Sequence, residues 1–481
     1  MIFEKKEITK KSQDFARWYN DVVLKAELAD YGTVKGCMVI RPYGFALWEN
    51  IQKVLDSMIK RAGVPNAYFP LFIPESFLRK EKEHIQGFSP QLAVVTIGGG
   101  EELKEKLVVR PTSETVMYSM FSKWITSWRD LPFKINQWCN IVRWEQRTYL
   151  FLRTTEFLWQ EGHTAHATEK EAIREVLARL SDYKTLYEDY LAMPAVSGVK
   201  SESEKFPGAK DTYTLEFLMP DGKVLQGCTS HNLGQNFAKV FGVSFQDKDG
   251  RRQFVWQTSW GLSTRAIGGL IMTHGDDNGL ILPPKIAPIQ VVIIPITNLC
   301  LKICQKLKEE LGKEGIRVEI DDREEQTVGW KFNEWELKGV PLRVEVGEKE
   351  IEAGEVTVVR RDTGENVKCQ MMSSKVETSN VKSEIQNLLG EIQENLYLRA
   401  KKFLEENTHE VESYEEFKKI METKRGFLKF FWCQGRTCEE KIKRETHASP
   451  RLLPLSAKKE NGRCLICGRP APFRWFFSQA Y

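Results

Sequence analysis

Residues 140–168 read NIVRWEQRTYLFLRTTEFLWQEGHTAHAT and hold Arg143, Glu145, Arg153, Glu156, Phe157, Trp159, Glu161 and His163 in one run. Two more segments are dense in reactive or anion-binding side chains. One is RPTSE, residues 110–114; the other is QTSWGLSTRAIGG, residues 257–269, where Arg265 follows a glycine-containing loop. Neither G-x-x-x-x-G-K-[ST] nor G-x-G-x-x-G occurs, so nucleotide binding here cannot rest on a glycine-rich phosphate loop. Arginines and aromatics offer another route, because a guanidinium grips a phosphate bidentately and a phenyl ring stacks on a purine. Taken singly, these residues have plainer readings. Arg143 or Arg265 alone suits a surface ion pair, Phe157 and Trp159 suit a core, and His163 suits a satisfied buried histidine.

Upstream, a capped helix is expected near Ser12. Residues 44–60 then show helical spacing of Leu47, Ile51, Val54, Leu55 and Met58, and run into the extended, proline-punctuated AYFPLFIP. From there to about Pro283 the chain reads mostly as strands rich in Trp, Phe, Val and Thr. One helix interrupts them, with Ile173, Val176, Leu177, Leu180, Tyr187 and Tyr190 on a common face. This mixture predicts an antiparallel sheet with a few helices rather than a doubly wound fold. Beyond the linker LPPKIAP, the strands IQVVIIPI, IRVEI, LRVEV and VTVVR predict a small α/β domain, with helical stretches at 298–312 and 329–338 between the first three. A charged amphipathic segment and a basic module follow. The expected domains are 1–286, 287–395 and 396–481.

A length of 481 residues suits two or three domains, and 41% hydrophobic with 28% charged residues excludes a disordered chain. The start, MIFEKKEITKKSQDF, is too charged for a signal peptide. IQVVIIPI is broken by Pro295 and preceded by Lys285, too short to span a bilayer. The expectation is a soluble cytoplasmic protein with no membrane partner. Residues 424–481 carry thirteen Lys and Arg against four Asp and Glu; against a whole-chain +4, this leaves −5 on the first 423. A basic module on a mildly acidic body suits a polyanion such as RNA, or is simply a solvated tail. Six of the ten cysteines are scattered. The other four form C-x4-C at Cys433 and Cys438 and C-x2-C at Cys464 and Cys467, which in an intracellular protein points to a metal rather than disulfides.

Joint spacing changes the reading of the first segments. R-x-E from Arg143 to Glu145, then a loop, then R-x-x-x-F from Arg153 to Phe157, resembles motif 2 of the class II aminoacyl-tRNA synthetases. G-L-x-x-R at 261–265 resembles their motif 3, and residues 44–70 resemble motif 1, which builds the dimer interface in that family. RPTSE, VRWE, FLWQEGHTAHAT, QGCTSHNLGQNF and DDREEQTVGWKFNEWELKGVPLRVEVG narrow the resemblance to the prolyl-tRNA synthetases, in order and over nearly the whole chain.

The resemblance implies an α+β catalytic domain with the class II antiparallel sheet, an α/β anticodon-binding domain and a small α+β zinc-binding C-terminal domain. It implies ATP-dependent ligation of L-proline to tRNA(Pro) through an enzyme-bound prolyl-adenylate, by a homodimer. Arg143 would hold the α-phosphate and the substrate carboxylate; Arg153 and Arg265 would grip the outer phosphates; Phe157 would stack on adenine and Glu145 meet its amino edge. Gln226 and Thr229 would line the nucleotide and proline pockets. Glu114, with Thr112, would face the proline ammonium, and Trp159, Glu161, His163 and Ser259 would complete the proline site. Magnesium is expected with the ATP. Arg323, Lys331, Phe332, Glu336 and Arg343 fall where the family meets the anticodon.

The four cysteines resemble the C-terminal zinc module of the archaeal and eukaryotic-type enzymes. A tetrathiolate site has no open position, so its zinc would be structural. In that type the final tyrosine, here Tyr481, reaches back towards the active site. About a hundred residues separate motif 2 from motif 3, which leaves no room for the large editing insertion of the bacterial type; misactivated alanine or cysteine would then go uncorrected in cis. Two other readings remain in view. A threonine-type synthetase would want a Cys/His/His zinc set, and only His163, His166, His231 and Cys228 lie in the region. A non-catalytic paralogue would lack a motif arginine, whereas Arg143, Arg153 and Arg265 are all present.

Overall fold

The computed structural model describes residues 7–79, 92–370 and 379–481. Helix α1 (Phe15–Lys25) opens at Asp14, whose carboxylate accepts from the amide of Arg17, two residues later than the expected start near Ser12. Helix α2 (Pro42–Arg61) begins with proline, where no amide donor is needed, and buries Leu47, Ile51, Leu55 and Met58.

The chain then forms α3 (Glu114–Trp124), β1 (Phe133–Val142), β2 (Glu156–His166), α4 (Glu169–Thr185), β3 (Val196–Val199), β4 (Asp211–Leu218), β5 (Val224–Gly234), β6 (Trp256–Ser263) and α5 (Arg265–His274). A reciprocal capping box between Thr168 and Glu171 starts α4, and a π-helical turn at Leu186–Tyr190 extends it, keeping Tyr187 in the core. A single helix was expected in this region, so α3, α5 and a short helix at Asn236–Phe241 correct that reading. The physical reasons differ. The Ser113 hydroxyl makes no cap on α3, and α5 is buried nearly all round, which erases its amphipathic signature.

The small α/β domain contains β7 (Val291–Pro295), α6 (Leu301–Lys313), β8 (Val318–Ile320), α7 (Val328–Leu337), β9 (Leu342–Val346), β10 (Glu355–Arg360) and β11 (Asn366–Gln370). Its strand order is β8-β7-β9-β10-β11, parallel over the first three and antiparallel after them. Strand β11 was not expected. It is the polar return arm of a hairpin turning at Gly364 (φ +74°), and of its five residues only Cys369 is buried. The charged amphipathic segment expected after residue 395 is the end of one long helix, α8 (Ser379–Glu406), which starts well before it. Val381, Ile385, Leu388, Ile392 and Leu396 bury it in the α/β core, and Phe403 and Leu404 reach the catalytic side.

The last region adds β12 (Thr408–Glu410), β13 (Phe427–Phe431), α9 (Arg436–Thr446), β14 (Ser449–Pro454) and β15 (Arg474–Ser478). These strands do not form a separate sheet. Pairing of Leu453 with Val199 and of Pro454 with Gly198 continues them into the catalytic sheet, in the order β12-β13-β15-β14-β3-β4-β5-β6-β2-β1. All neighbours are antiparallel except β12 and β13. A buried charge cluster locks the junction: Glu216 takes Lys200 from its own domain and Arg451 Nη2 from β14, the latter at 3.0 Å. Removing one member of such a cluster costs about 3–5 kcal/mol, because the remaining charge stays buried and unpaired.

Candidate active site and metal centre

The sheet carries a cavity of about 290 Å³ on one face. Side chains on a strand alternate, so Phe157, Trp159, Glu161 and His163 of β2 share that face. Register places Ser259 beside His163 and Gly261 beside Glu161, with Thr229 and His231 one strand further. Gln226 and Thr229 are three apart and should point oppositely. A bulge between Gln226 and Cys228 inserts the extra residue that turns both towards the cavity. On the reverse face, Gly162 lies under the ring of Trp260, where any Cβ would collide.

Of the residues expected at the ATP and proline sites, Thr112, Glu114, Arg143, Phe157, Trp159, Glu161, His163, Gln226, Thr229, Ser259 and Arg265 line this cavity. Glu145 and Arg153 lie outside its lining, in the loop between β1 and β2, where Arg153 closes a backbone hairpin with Tyr149.

Glu161 is held from several sides. Its Oε1 accepts from Ser113 Oγ at 2.5 Å and Gln137 Nε2 at 2.8 Å, and its Oε2 meets His163 Nε2 at 3.1 Å. His163 Nδ1 in turn lies 3.0 Å from the Tyr118 hydroxyl. Burial pushes the Glu161 carboxyl upward, but the bonds from His163, Ser113 and Gln137 prevail and hold it below its ordinary value. The site keeps a fixed anionic floor. Glu114, also buried, accepts from the Thr112 hydroxyl.

Above that floor stand two arginines. Arg143 anchors its Nε on the Pro111 carbonyl at 3.0 Å, with its guanidinium 5.7 Å from the Phe157 ring centre and 5.6 Å from that of Trp159. Arg265 starts α5 and donates from Nε to the Leu152 carbonyl at 3.0 Å. Burial, with Arg265 among the neighbours, lowers the pKa of Arg143 to about 10, which leaves it charged at neutral pH. Burial and Arg153 likewise lower that of Arg265. Mutually repelling, half-buried cations over a carboxylate floor suit a ligand with a cationic end and an anionic end.

Several lining residues were not singled out from the sequence. Glu204, Lys205, Phe206 and Pro207 close one side of the cavity, and the His231 ring packs tilted against Phe206, with ring centres 4.6 Å apart. Burial drops the pKa of His231 to about 3, so it is neutral and accepts from or donates to Thr212 at 3.0 Å. Ser113, Tyr118 and Gln137 hold the floor from behind. Their only sequence signal is that Ser113 belongs to RPTSE and that Gln137 sits in strand alternation.

The Sγ atoms of Cys433, Cys438, Cys464 and Cys467 lie within 4.8 Å of one another, with Cys433 3.8 Å from Cys438 and 3.7 Å from Cys467. A tetrahedral zinc with bonds of roughly 2.3 Å requires sulfur separations near 3.8 Å, so this thiol set fits a closed Zn²⁺ site. Tyr481 packs on the catalytic core, its amide donating to the Val224 carbonyl at 3.2 Å and Lys223 Nζ 5.0 Å from its ring centre.

On the α/β domain, Arg323 pairs with Asp321 at 2.6 Å and lies over Trp330, while Arg343 lies 4.1 Å from the Phe332 ring centre and pairs with Glu345. Lys331 is buried, its ammonium donating to the Asp321 carbonyl at 3.0 Å, so it braces this surface from within. The Glu336 carbonyl accepts from Arg361 Nε at 2.9 Å. Among the described residues, no helix is long and apolar enough to cross a membrane.

Three family descriptions match in order: "tRNA synthetase class II core domain (G, H, P, S and T)" over residues 95–274, "Anticodon binding domain" over 290–388, and "Prolyl-tRNA synthetase, C-terminal" over 414–481. A proline–tRNA ligase of Natranaerobius thermophilus is 53% identical over 99% of this chain and 98% of its own. Proline–tRNA ligase 2 of Bacillus cereus is 52% identical, covering 98% of each chain. The crystal structure of a prolyl-tRNA synthetase from Cryptosporidium parvum, complexed with halofuginone and AMPPNP, superposes with a TM-score of 0.93 at 46% identity over 98% of this chain and 99% of that one. The chain belongs to the prolyl-tRNA synthetase family of class II aminoacyl-tRNA synthetases, the proline–tRNA ligases.

Proposed function

We propose that the chain ligates L-proline to tRNA(Pro) in two steps through a bound prolyl-adenylate, and that the cavity between β2, β5 and β6 performs both. The observation that carries this reading is the shared cavity of Arg143, Arg265, Glu114 and Glu161. Arg143 holds the α-phosphate beside the proline carboxylate, so attack is in line and the added charge is neutralised. Arg265, with Arg153 from the loop, draws the pyrophosphate outward; Phe157 stacks on adenine, Glu145 meets its amino edge, and Gln226 and Thr229 bound the two pockets. The proline ammonium faces Glu114 and Thr112, while Trp159, Glu161, His163 and Ser259 enclose the ring. Mg²⁺ travels with ATP and offsets phosphate charge. The ATP analogue in the Cryptosporidium parvum structure supports the nucleotide assignment.

Around this centre the reading assigns residues 1–286 to catalysis, 287–395 to the anticodon and 396–481 to a module held by structural Zn²⁺ on Cys433, Cys438, Cys464 and Cys467. Arg323, Phe332, Glu336 and Arg343 meet anticodon bases, with Lys331 bracing them. The enzyme is a cytoplasmic homodimer; exposed Tyr31, Val34, Val39 and Phe45 near the start of α2 supply apolar surface for the partner. The span from β2 to β6 is occupied by α4, β3, β4, β5 and short linking elements, all belonging to the core, so alanine or cysteine once activated is not cleared in cis. The test is aminoacylation of tRNA(Pro) with labelled proline. The reading expects ATP-dependent charging that Arg265→Ala lowers by about 10²–10³ in kcat; charging with another amino acid in place of proline would overturn it.

A further inference from the structure

Helix α5 has an active-site end and a distal end, and the distal end is gripped from three parts of the chain. At its start, Arg265 lines the cavity. At its other end, Lys11 Nζ donates to the carbonyls of Met272 at 3.0 Å and Gly275 at 2.7 Å, and Arg399 of α8 donates to the His274 carbonyl at 3.3 Å. Cations there complement the negative end of the helix dipole. Asp276, two residues further, takes both ends of the Arg361 guanidinium, at 2.6 and 2.9 Å.

Arg361 has a second partner. Its Nε donates at 2.9 Å to the carbonyl of Glu336, in the last turn of α7. One guanidinium therefore joins the C-terminal ends of two helices, one carrying Arg265 and the other carrying Phe332 and Glu336. The backbones touch beside it: Leu280 N donates to Leu337 O at 3.0 Å and Leu282 N to Gly339 O at 3.1 Å. Gly279 and Gly339, both at positive φ, make this approach possible, since a Cβ on Gly279 would sit 2.6 Å from Leu337 O and one on Gly339 2.5 Å from Leu280 Cβ. Arg361 is 9% exposed and so held firmly by the fold, while the Asp276 carboxylate it grips is open to solvent on one side, with a side chain 41% exposed.

We propose that Arg361 is a positioning residue that couples base binding on α7 to the placement of Arg265, with Asp276 as its relay. The inference rests on the reading that α7 meets the anticodon. A ligand that shifts α7 pulls on Asp276 through the shared guanidinium, and α5, a packed rigid rod, carries the shift to Arg265. Linkage then requires that tRNA engagement and the reactive arrangement of Arg265 favour each other.

The experiment compares wild type, Arg361→Ala and Asp276→Asn in two assays. The first is proline-dependent ATP–pyrophosphate exchange without tRNA; the second is aminoacylation of tRNA(Pro) transcripts with native or substituted anticodons. The expected result is exchange within about threefold of wild type for both variants, and a kcat penalty for anticodon substitution that shrinks about tenfold while the KM penalty persists. Asp276→Asn keeps the Arg361–Glu336 bond and so separates lost coupling from lost folding, with thermal melts of each variant as control. An unchanged kcat penalty in the variants, or exchange falling as far as aminoacylation, overturns the proposal. A wild-type enzyme indifferent to the anticodon removes the anticodon reading and this inference together, so the two failures are distinct.

Discussion

Ser113 Oγ donates to Glu161 Oε1 at 2.5 Å, joining the residue before α3 to the middle of β2. A serine in that position ordinarily caps its helix, yet Ser113 makes no cap and its backbone is already helical. The hydroxyl is spent on the cavity floor instead. Ser113→Ala should therefore leave α3 intact while costing about 1–3 kcal/mol through an under-satisfied buried carboxylate. The checks are chemical denaturation and KM for proline, which should rise while KM for ATP stays within about twofold.

The depressed pKa of Glu161 fixes the sign of a pH effect. A carboxyl held below its unfolded value adds stability above that value and loses it as pH falls through the folded one. Glu161→Gln should thus be less stable than wild type by a constant amount above about pH 5, and the gap should narrow as pH falls below the ordinary glutamate value of about 4.3. Melts of both proteins from pH 3 to 8 test this; a gap that widens on acidification would contradict it.

Gly162 admits no side chain, because Trp260 occupies the space where a Cβ would sit. Gly162→Ala should destabilise by about 1–3 kcal/mol or more through overpacking. Since Gly162 lies between Glu161 and His163, the displaced strand should also raise the proline KM. Denaturation midpoints and steady-state kinetics read the two effects separately.

The cysteine set should bind one Zn²⁺ per chain, measured by elemental analysis. Because β14 pairs with β3, loosening this module should weaken the catalytic sheet as well. Chelation, or Cys464→Ser, should lower Tm by at least about 4 °C, the shift that roughly 2 kcal/mol produces in a large domain. Equal Tm with and without chelator, in protein shown to have lost its metal, would contradict a structural role.

Much of the site was legible because Phe157, Trp159, Glu161 and His163 lie in one short run, whose spacing resembles a known motif without need of any distant contact. The cysteine cluster was legible for the same reason. What stayed hidden depends on contacts distant in sequence. Helix α3 was hidden because its capping residue serves Glu161, and α5 because burial on all sides removes any polar face. The common orientation of Gln226 and Thr229 depends on a bulge that strict alternation denies. The continuity of β12, β13, β14 and β15 with the catalytic sheet, and the bridge from Arg361 to Asp276, exist only once the domains are packed.

The central claim is that the Arg143–Arg265 cavity activates proline, and ATP–pyrophosphate exchange measured with each amino acid separately, before and after Arg143→Ala, tests it most directly. The account predicts strong exchange with proline, a loss of about 10²–10³ on substitution, and weaker exchange with alanine or cysteine. Losing methylene groups from proline costs only about 1–3 kcal/mol of binding each, so alanine should not be excluded altogether. A proline preference over alanine beyond about 10⁵ in kcat/KM would contradict the uncorrected misactivation. Exchange with no amino acid, from folded and zinc-loaded protein, would contradict the account as a whole.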